Sequence, residues 1–232
     1  LADDEDFYIP SVIDDFTTKQ ILTTEYVEGI PLDKCAELDS EVRDWVGTKL
    51  IGLCLRELFE WRFMQSDPNW SNFFYDPRNA RIILLDFGAT RDYSKSFIDD
   101  YLRVILAAAQ RDEDAIVQLS LKLGFLTGYE DRLMIRAHVD AVLILGEAFG
   151  STAGPGPGPD QAPFDFGNQR TTERIQNLIP VMLRHRLSPP PPETYSIHRK
   201  LSGAFLLCAK LKAKVHCKPL LDAVCAKYQF SA

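Results

Sequence analysis

The sequence has no C-x-x-C pair, no apolar run of membrane-spanning length and no surplus of basic residues. Each absence removes a class of protein. The five cysteines (35, 54, 208, 217 and 225) are odd in number and scattered. That pattern speaks against a disulfide framework or a four-cysteine zinc site and fits a reducing compartment. The longest apolar runs, Val104–Ala109 and Ala141–Gly146, fall well short of the ~18 residues that a membrane helix needs. With 26 basic and 33 acidic residues the net charge is −7, the wrong sign for a general nucleic-acid binder. The four histidines (138, 185, 198 and 216) show no metal-ligand spacing, and no G-x-S-x-G elbow marks a hydrolase serine.

What remains is ordinary globular composition. Apolar residues make up 46% and charged residues 25% of the 232, which excludes wholesale disorder and fits one large domain, or one domain plus a fragment. Leu1 is not an initiating methionine, so the expectation is a processed product or an excised piece whose acidic start, residues 1–6, is frayed. Charge is uneven. Residues 1–183 hold 17 basic and 31 acidic groups, whereas 184–218 hold 8 basic groups and only Glu193. That stretch reads either as a solvated helix surface or as a face for an acidic partner or lipid head groups.

The periodicity changes along the chain. Residues 7–28 read as strands, with β-favouring Ile21, Leu22, Thr23, Thr24, Tyr26 and Val27 in the second of them. From Val42 to Phe63 apolar residues recur at helical spacing, with Asp39 or Ser40 as cap, which predicts a central buried helix. Residues 65–71 form a loop. Two short strands, 72–75 and 81–85, flank the turn Asp76-Pro77-Arg78-Asn79. Helices are expected over 96–111, 115–123, 129–149, 171–187, 195–215 and 219–230, with Gly124 and Gly150 as left-handed stops. The Gly/Pro-rich residues 151–163 read as an exposed mobile loop and Pro189–Pro192 as a stiff connector.

One constellation carries chemistry. Asp67 is followed five residues later by Asn72, and 19 residues after Asp67 stands Asp86 in an Asp-Phe-Gly triplet after four apolar residues. Phosphoryl transfer uses such a set. Mg²⁺ prefers hard oxygen ligands, which an asparagine amide and an aspartate supply from two loops, while a further aspartate orients or deprotonates the accepting oxygen. A second triplet, Asp165-Phe166-Gly167, follows no strand and is read as structural. Upstream, Glu25, Tyr26 and Val27 lie in Thr23–Gly29, which fits a hinge whose backbone meets an adenine edge; it also fits a plain strand ending in a glycine turn. The histidines and cysteines read as packed or surface residues, and Trp70 as a packing anchor or a site-lining ring.

At the stretches LTTEYVEGIPL (22–32), QSDPNWSNFFY (65–75), LLDFGATR (84–91), AVLILGEAF (141–149) and NLIPVMLRHRL (177–187) the chain resembles the UbiB family of atypical kinase-like proteins. The likeness is nearest to its animal mitochondrial members of coenzyme Q biosynthesis and runs over about residues 7–230. It implies an α+β, mainly α fold: a protein-kinase-like C-terminal lobe with a short β-hairpin, plus the last strands of an N-terminal lobe. Residues 1–32 would be the end of that N-lobe and the hinge. Residues 33–232 would be the C-lobe, with catalytic loop 65–72, metal-binding triplet 86–88 and an inserted loop 151–163.

By that likeness Asp67 is the catalytic aspartate, Asn72 and Asp86 are metal ligands, and the cofactors are ATP and Mg²⁺. It also implies ATPase activity, coenzyme Q biosynthetic complex proteins as partners, and quinone-precursor lipids and an anionic membrane surface as further ones. Its setting is the matrix face of the mitochondrial inner membrane. It leaves the oligomeric state open, a homodimer included. The chain departs from protein kinases at Gln65 (their histidine) and Asn69 (their lysine), and no A-P-E follows Gly88. The nucleotide loop, strand lysine and helix glutamate are expected upstream of Leu1, so the chain alone is expected to bind nucleotide poorly. A non-catalytic kinase-fold scaffold and a small-molecule kinase are the competing readings.

Overall fold

The computed structural model describes residues 1, 4–150, 162–168 and 170–231. Helices dominate it, as the periodicity predicts. The long apolar segment forms α1 (Ser40–Arg56), which continues as a wider π-helical turn over Glu57–Trp61. Val46, Leu50, Ile51, Leu53, Cys54 and Leu55 are all buried. A helix whose apolar residues are buried on more than one side belongs in the middle of a domain, and α1 lies between α6 (Pro192–Leu211) and α7 (Cys217–Lys227). Its end comes earlier than the apolar spacing predicts. Arg62 turns left-handed at φ 52, and Phe63 opens a strand instead. Asp39 occupies the cap position, but its side chain makes no capping bond.

The hairpin forms as expected from β4 (Phe73–Asp76) and β5 (Arg81–Leu84), in register Phe73↔Leu84. Asp76 fixes its turn, accepting from Arg78 N, the Asn79 amide and Arg81 Nε. β1 (Phe7–Tyr8) pairs parallel with β5, and β2 (Ile30–Pro31) antiparallel with β4, giving the order β1-β5-β4-β2. A second ribbon pairs β3 (Phe63–Gln65) with β6 (Thr90–Asp92).

The strands expected over 7–28 need correction. Only Phe7–Tyr8 joins the sheet; residues 9–28 meet each other through one bridge, Val12↔Thr24, and Asp14–Phe16 is a 3₁₀ turn. A strand needs a neighbour for its backbone groups. Here Phe16, Ile21, Leu22 and Tyr26 face solvent instead. The acidic start is tied down rather than loose: Asp4 pairs with Arg56, and Asp6 with Lys49.

The helical remainder comprises α2 (Lys95–Gln110), α3 (Glu113–Leu123), α4 (Arg132–Gly146) and α5 (Thr171–His185). Ser94, Asp112 and Asp131 cap α2, α3 and α4 through side-chain bonds to backbone amides. Gly124 ends α3 at φ 80, as a left-handed stop requires. Gly150 does not: the helix finishes in a 3₁₀ turn, and Gly150 is extended at φ −80. α6 stops at left-handed Lys212, and Lys214–Val215 forms β8, paired with β7 (Phe164–Asp165). Most of the Gly/Pro segment 151–163 lies outside the described residues. Among the described residues no helix is long and apolar enough to cross a membrane.

Candidate active site

The loop between β3 and β4 carries Asp67 and Asn72. The Asn69 side chain accepts from Ser71 N and starts a short 3₁₀ turn, Trp70–Asn72, that leads into the hairpin. Asn72 is buried, and its Nδ2 donates to Asp67 Oδ2 at 3.1 Å. Its carbonyl accepts from Leu85 N at 2.9 Å, which places the strand end before Asp86 alongside it. Asp86 itself is exposed, and its Oδ1 accepts from Gly88 N at 2.7 Å. Ser66 N donates to Ala89 O at 2.7 Å, so the segment after the Asp-Phe-Gly triplet is fastened back to the loop.

These bonds leave a defined set of oxygens. Asn72 commits its N–H to Asp67, which orients its Oδ1 as the free amide atom. Asp86 commits one carboxylate oxygen to Gly88 and retains the other. An amide oxygen and a carboxylate oxygen are hard donors of the kind Mg²⁺ takes, with water and phosphate oxygens completing its shell. Among the described residues no group of three or more His, Cys, Asp or Glu forms a metal cage. Two protein ligands plus substrate oxygens is the arrangement that Mg²⁺ uses with phosphates, so the donor set fits.

Three residues of this site were not singled out from the sequence. Arg199 on α6 donates from Nη2 to Asp67 Oδ1 at 3.1 Å. Its neighbour Lys200 is buried and donates to the Gln65 carbonyl at 2.8 Å and to Gln65 Oε1 at 3.0 Å. Lys200 also pairs with Glu57 Oε2 at 3.1 Å, and Glu57 Oε1 accepts from Gln65 N at 3.2 Å. Burial pushes the Glu57 carboxyl up, against the opposing pull of Lys200 and the Gln65 amide. A buried Glu–Lys–Gln cluster therefore stands where the loop begins. The only local signals for it were Glu57 on the apolar side of a helix and a lysine in a buried helical stretch. Gly203 lies one turn beyond Arg199 and Lys200, and any Cβ there would collide with Pro68 of the loop.

Glu25, Tyr26 and Val27 are not brought to this cluster. They border a separate open cavity of about 610 Å³ beside the hairpin turn, shared with Tyr8, Arg78 and Arg81. The Glu25 carboxylate accepts from Tyr8 OH and Ser11 N, which hold it below the usual carboxylate range, and Tyr26 is 89% exposed. Asp165 receives Gly167 N, Asn168 N and the Asn168 amide, while Phe166 packs on Phe164 and Phe205. The basic stretch 184–218 is not one surface. Arg199 and Lys200 serve the loop, Lys210 pairs with Asp33, and Lys218 with Asp222. Cys35, Cys54, Cys208 and Cys217 are buried with thiol pKa values raised by desolvation, which suits packing.

Comparison with known proteins identifies the family. Residues 1–120 match the ABC1 atypical kinase-like domain. The chain is 50% identical over 229 residues to "Atypical kinase COQ8B, mitochondrial" of Danio rerio, covering 99% of this chain and 35% of that protein. It is 42% identical over 226 residues to "Atypical kinase COQ8, mitochondrial" of Saccharomyces cerevisiae, covering 97% and 44%. The chain thus spans well under half the length of these relatives. A solved structure, the complex of Rv3197 with erythromycin from Mycobacterium tuberculosis, superposes with a TM-score of 0.68 at 19% identity, over 94% of this chain and 52% of that one. That likeness speaks for the kinase-like fold alone.

Proposed function

Since the chain belongs to the ABC1 atypical kinase-like family, we propose that it forms the catalytic-loop part of an atypical kinase that uses ATP with Mg²⁺, chiefly as an ATPase, in support of coenzyme Q biosynthesis. The observation that carries this reading is the 3.1 Å bond from Asn72 to Asp67 beside the strand end bearing Asp86. Bound Mg²⁺ would neutralise phosphate charge, and Asn72 Oδ1 with the Asp86 carboxylate are the atoms that would hold it. Asp67 accepts a proton or orients the attacking oxygen. Arg199 puts a fixed positive charge next to Asp67, in a chain whose loop has Asn69 in place of the protein-kinase lysine. Glu25–Val27, which border the separate cavity by the hairpin turn, have no assigned role in this reading.

The remaining parts of the proposal rest on the relatives. Their names place them in mitochondria. The proposed setting is the matrix face of the inner membrane, with coenzyme Q biosynthetic proteins, quinone-precursor lipids and anionic lipid as partners. The chain covers 35% of its zebrafish relative, and we infer that residues outside the shared span grip the phosphates. The 232-residue chain alone then turns over ATP negligibly.

The test is ATP hydrolysis by the full-length protein with and without Mg²⁺. Turnover that needs Mg²⁺ and falls at least a hundredfold in Asp86→Asn supports the reading. Biological function kept intact in the double variant Asp67→Asn, Asp86→Asn points instead to a scaffold. Phosphorylation of a soluble alcohol points to a small-molecule kinase.

A further inference from the structure

A partly open cavity of about 170 Å³ lies between α2, α4, α5 and α6, apart from the catalytic loop. Its walls are apolar and rich in rings, including Tyr101, Phe125, Phe149 and Phe205. Among the described residues no aspartate or glutamate lines it. An engineered apolar cavity of roughly 150 Å³ accommodates benzene, so this one has room for a single ring with a short substituent.

Besides the Tyr101 hydroxyl, three polar side chains of the described lining border the cavity: His138, His198 and Arg186. The imidazoles flank Phe125, with ring centroids 5.9 Å and 6.4 Å away. Burial, then the Arg186 charge, holds His138 down to a pKa of about 4. His138 is therefore neutral at physiological pH, while His198 is exposed. His138 shares a hydrogen bond with Ser120 Oγ at 2.8 Å. Among the described lining residues Arg186 is the permanently charged cation. It is half-buried just beyond the end of α5, and its guanidinium enters no ion pair among the described residues. A half-buried guanidinium against apolar walls is stabilised by a charge-assisted, bidentate partner, and a carboxylate matches its geometry.

We propose that this cavity binds a small aryl carboxylate, the ring among the aromatic walls and the carboxylate on Arg186. The ring fits because Tyr101, Phe125, Phe149 and Phe205 offer flat faces among aliphatic walls, and offset stacking favours a flat guest. The charge fits because the described lining offers one permanent cation and no carboxylate. The site is independent of the ATP reading: it shares no side chain with Asp67, Asn72 or Asp86.

The test uses the full-length protein and ligand-observed NMR with two probes, 4-propylbenzoate and propylbenzene. The expected result is saturable binding of propylbenzoate, at least tenfold tighter than propylbenzene. Arg186→Gln should erase that difference while still binding propylbenzene, which shows that the cavity remains folded. Ala141→Phe, which fills the void, should abolish both. If Ala141→Phe does not fold, the two probes on the Arg186 variant still decide. No saturable binding of propylbenzoate, equal affinity for both probes in the wild type, or propylbenzoate affinity unchanged in Arg186→Gln would each overturn the proposal.

Discussion

Arg199 and Lys200 are consecutive residues of α6, yet they hold two different points of one loop. Arg199 donates to Asp67 Oδ1 at 3.1 Å, and Lys200 donates to the Gln65 carbonyl at 2.8 Å. Successive helical residues point about 100° apart, so a loop that runs past the helix can be met by both. The loop's position is thereby set by a helix more than 130 residues away in sequence.

The Arg199 contact is exposed, with 65% of its side chain accessible, so its worth to stability is small. Arg199→Ala should leave the urea midpoint of unfolding nearly unchanged, within about 0.5 kcal/mol. It should lower ATP turnover by the full-length protein at least tenfold, because a charge beside Asp67 is lost. Arg199→Lys should recover part of the turnover. Unchanged kcat in Arg199→Ala would remove Arg199 from the catalytic account.

Lys200 behaves in the opposite way. It is buried with Glu57 and Gln65, and removing one member of a buried pair costs about 3–5 kcal/mol. Lys200→Met should therefore destabilise strongly in denaturant unfolding. Adding Glu57→Gln, which keeps an acceptor for Gln65 N and removes the stranded charge, should return a large part of the loss. A double variant as unstable as the sum of the single ones would show that the pair does not act as a unit.

Gly203 meets Pro68 closely enough that any Cβ overlaps the ring. Gly203→Ala must push the catalytic loop off α6. The expected cost is about 1–3 kcal/mol of stability, with a fall in ATP turnover larger than that of an equally destabilising change elsewhere on α6. Leu211→Val, at a buried position two turns further along the same helix, is the control.

Acid sensitivity follows from His138, which is 6% exposed. Its pKa is held at about 4 by burial and Arg186, against about 6.5 in an unfolded chain. The unfolded state binds the extra proton between these values, so stability is present above pH 6.5 and is lost as pH falls toward 4. Roughly 3 kcal/mol is the ceiling for this one group. Denaturant unfolding from pH 7 to 4.5 should show the decline, and His138→Gln should make it shallower. A decline of equal slope in the variant would assign the effect to other groups.

How much of this was legible in the sequence depended on range. The β4–β5 hairpin and the Gly124 stop arise within a few residues, and local chemistry announces them, whereas the expected cap Asp39 makes no capping bond. Asp67 and Asn72 were readable because the spacing of their motif is itself local. The partners of that loop were not. Glu57, Arg199 and Lys200 meet it through tertiary packing, which no periodicity encodes. The strands expected over 9–28 failed for the complementary reason. Their residue types favour β structure, but a strand is completed by its neighbour, and here only Val12 and Thr24 form a bridge. Gly150 shows that a glycine after a helix permits a left-handed stop without requiring one.

The central claim is that Asn72 and Asp86 hold a divalent cation carried by a nucleotide, next to Asp67. Paramagnetic Mn²⁺ in place of Mg²⁺ reports this directly, by electron paramagnetic resonance of the full-length protein titrated with Mn·ATP. The account predicts a bound Mn²⁺ signal that requires ATP and is weakened at least tenfold in both Asn72→Ala and Asp86→Ala, with each variant still folded. A bound signal of wild-type strength in both folded variants would contradict it.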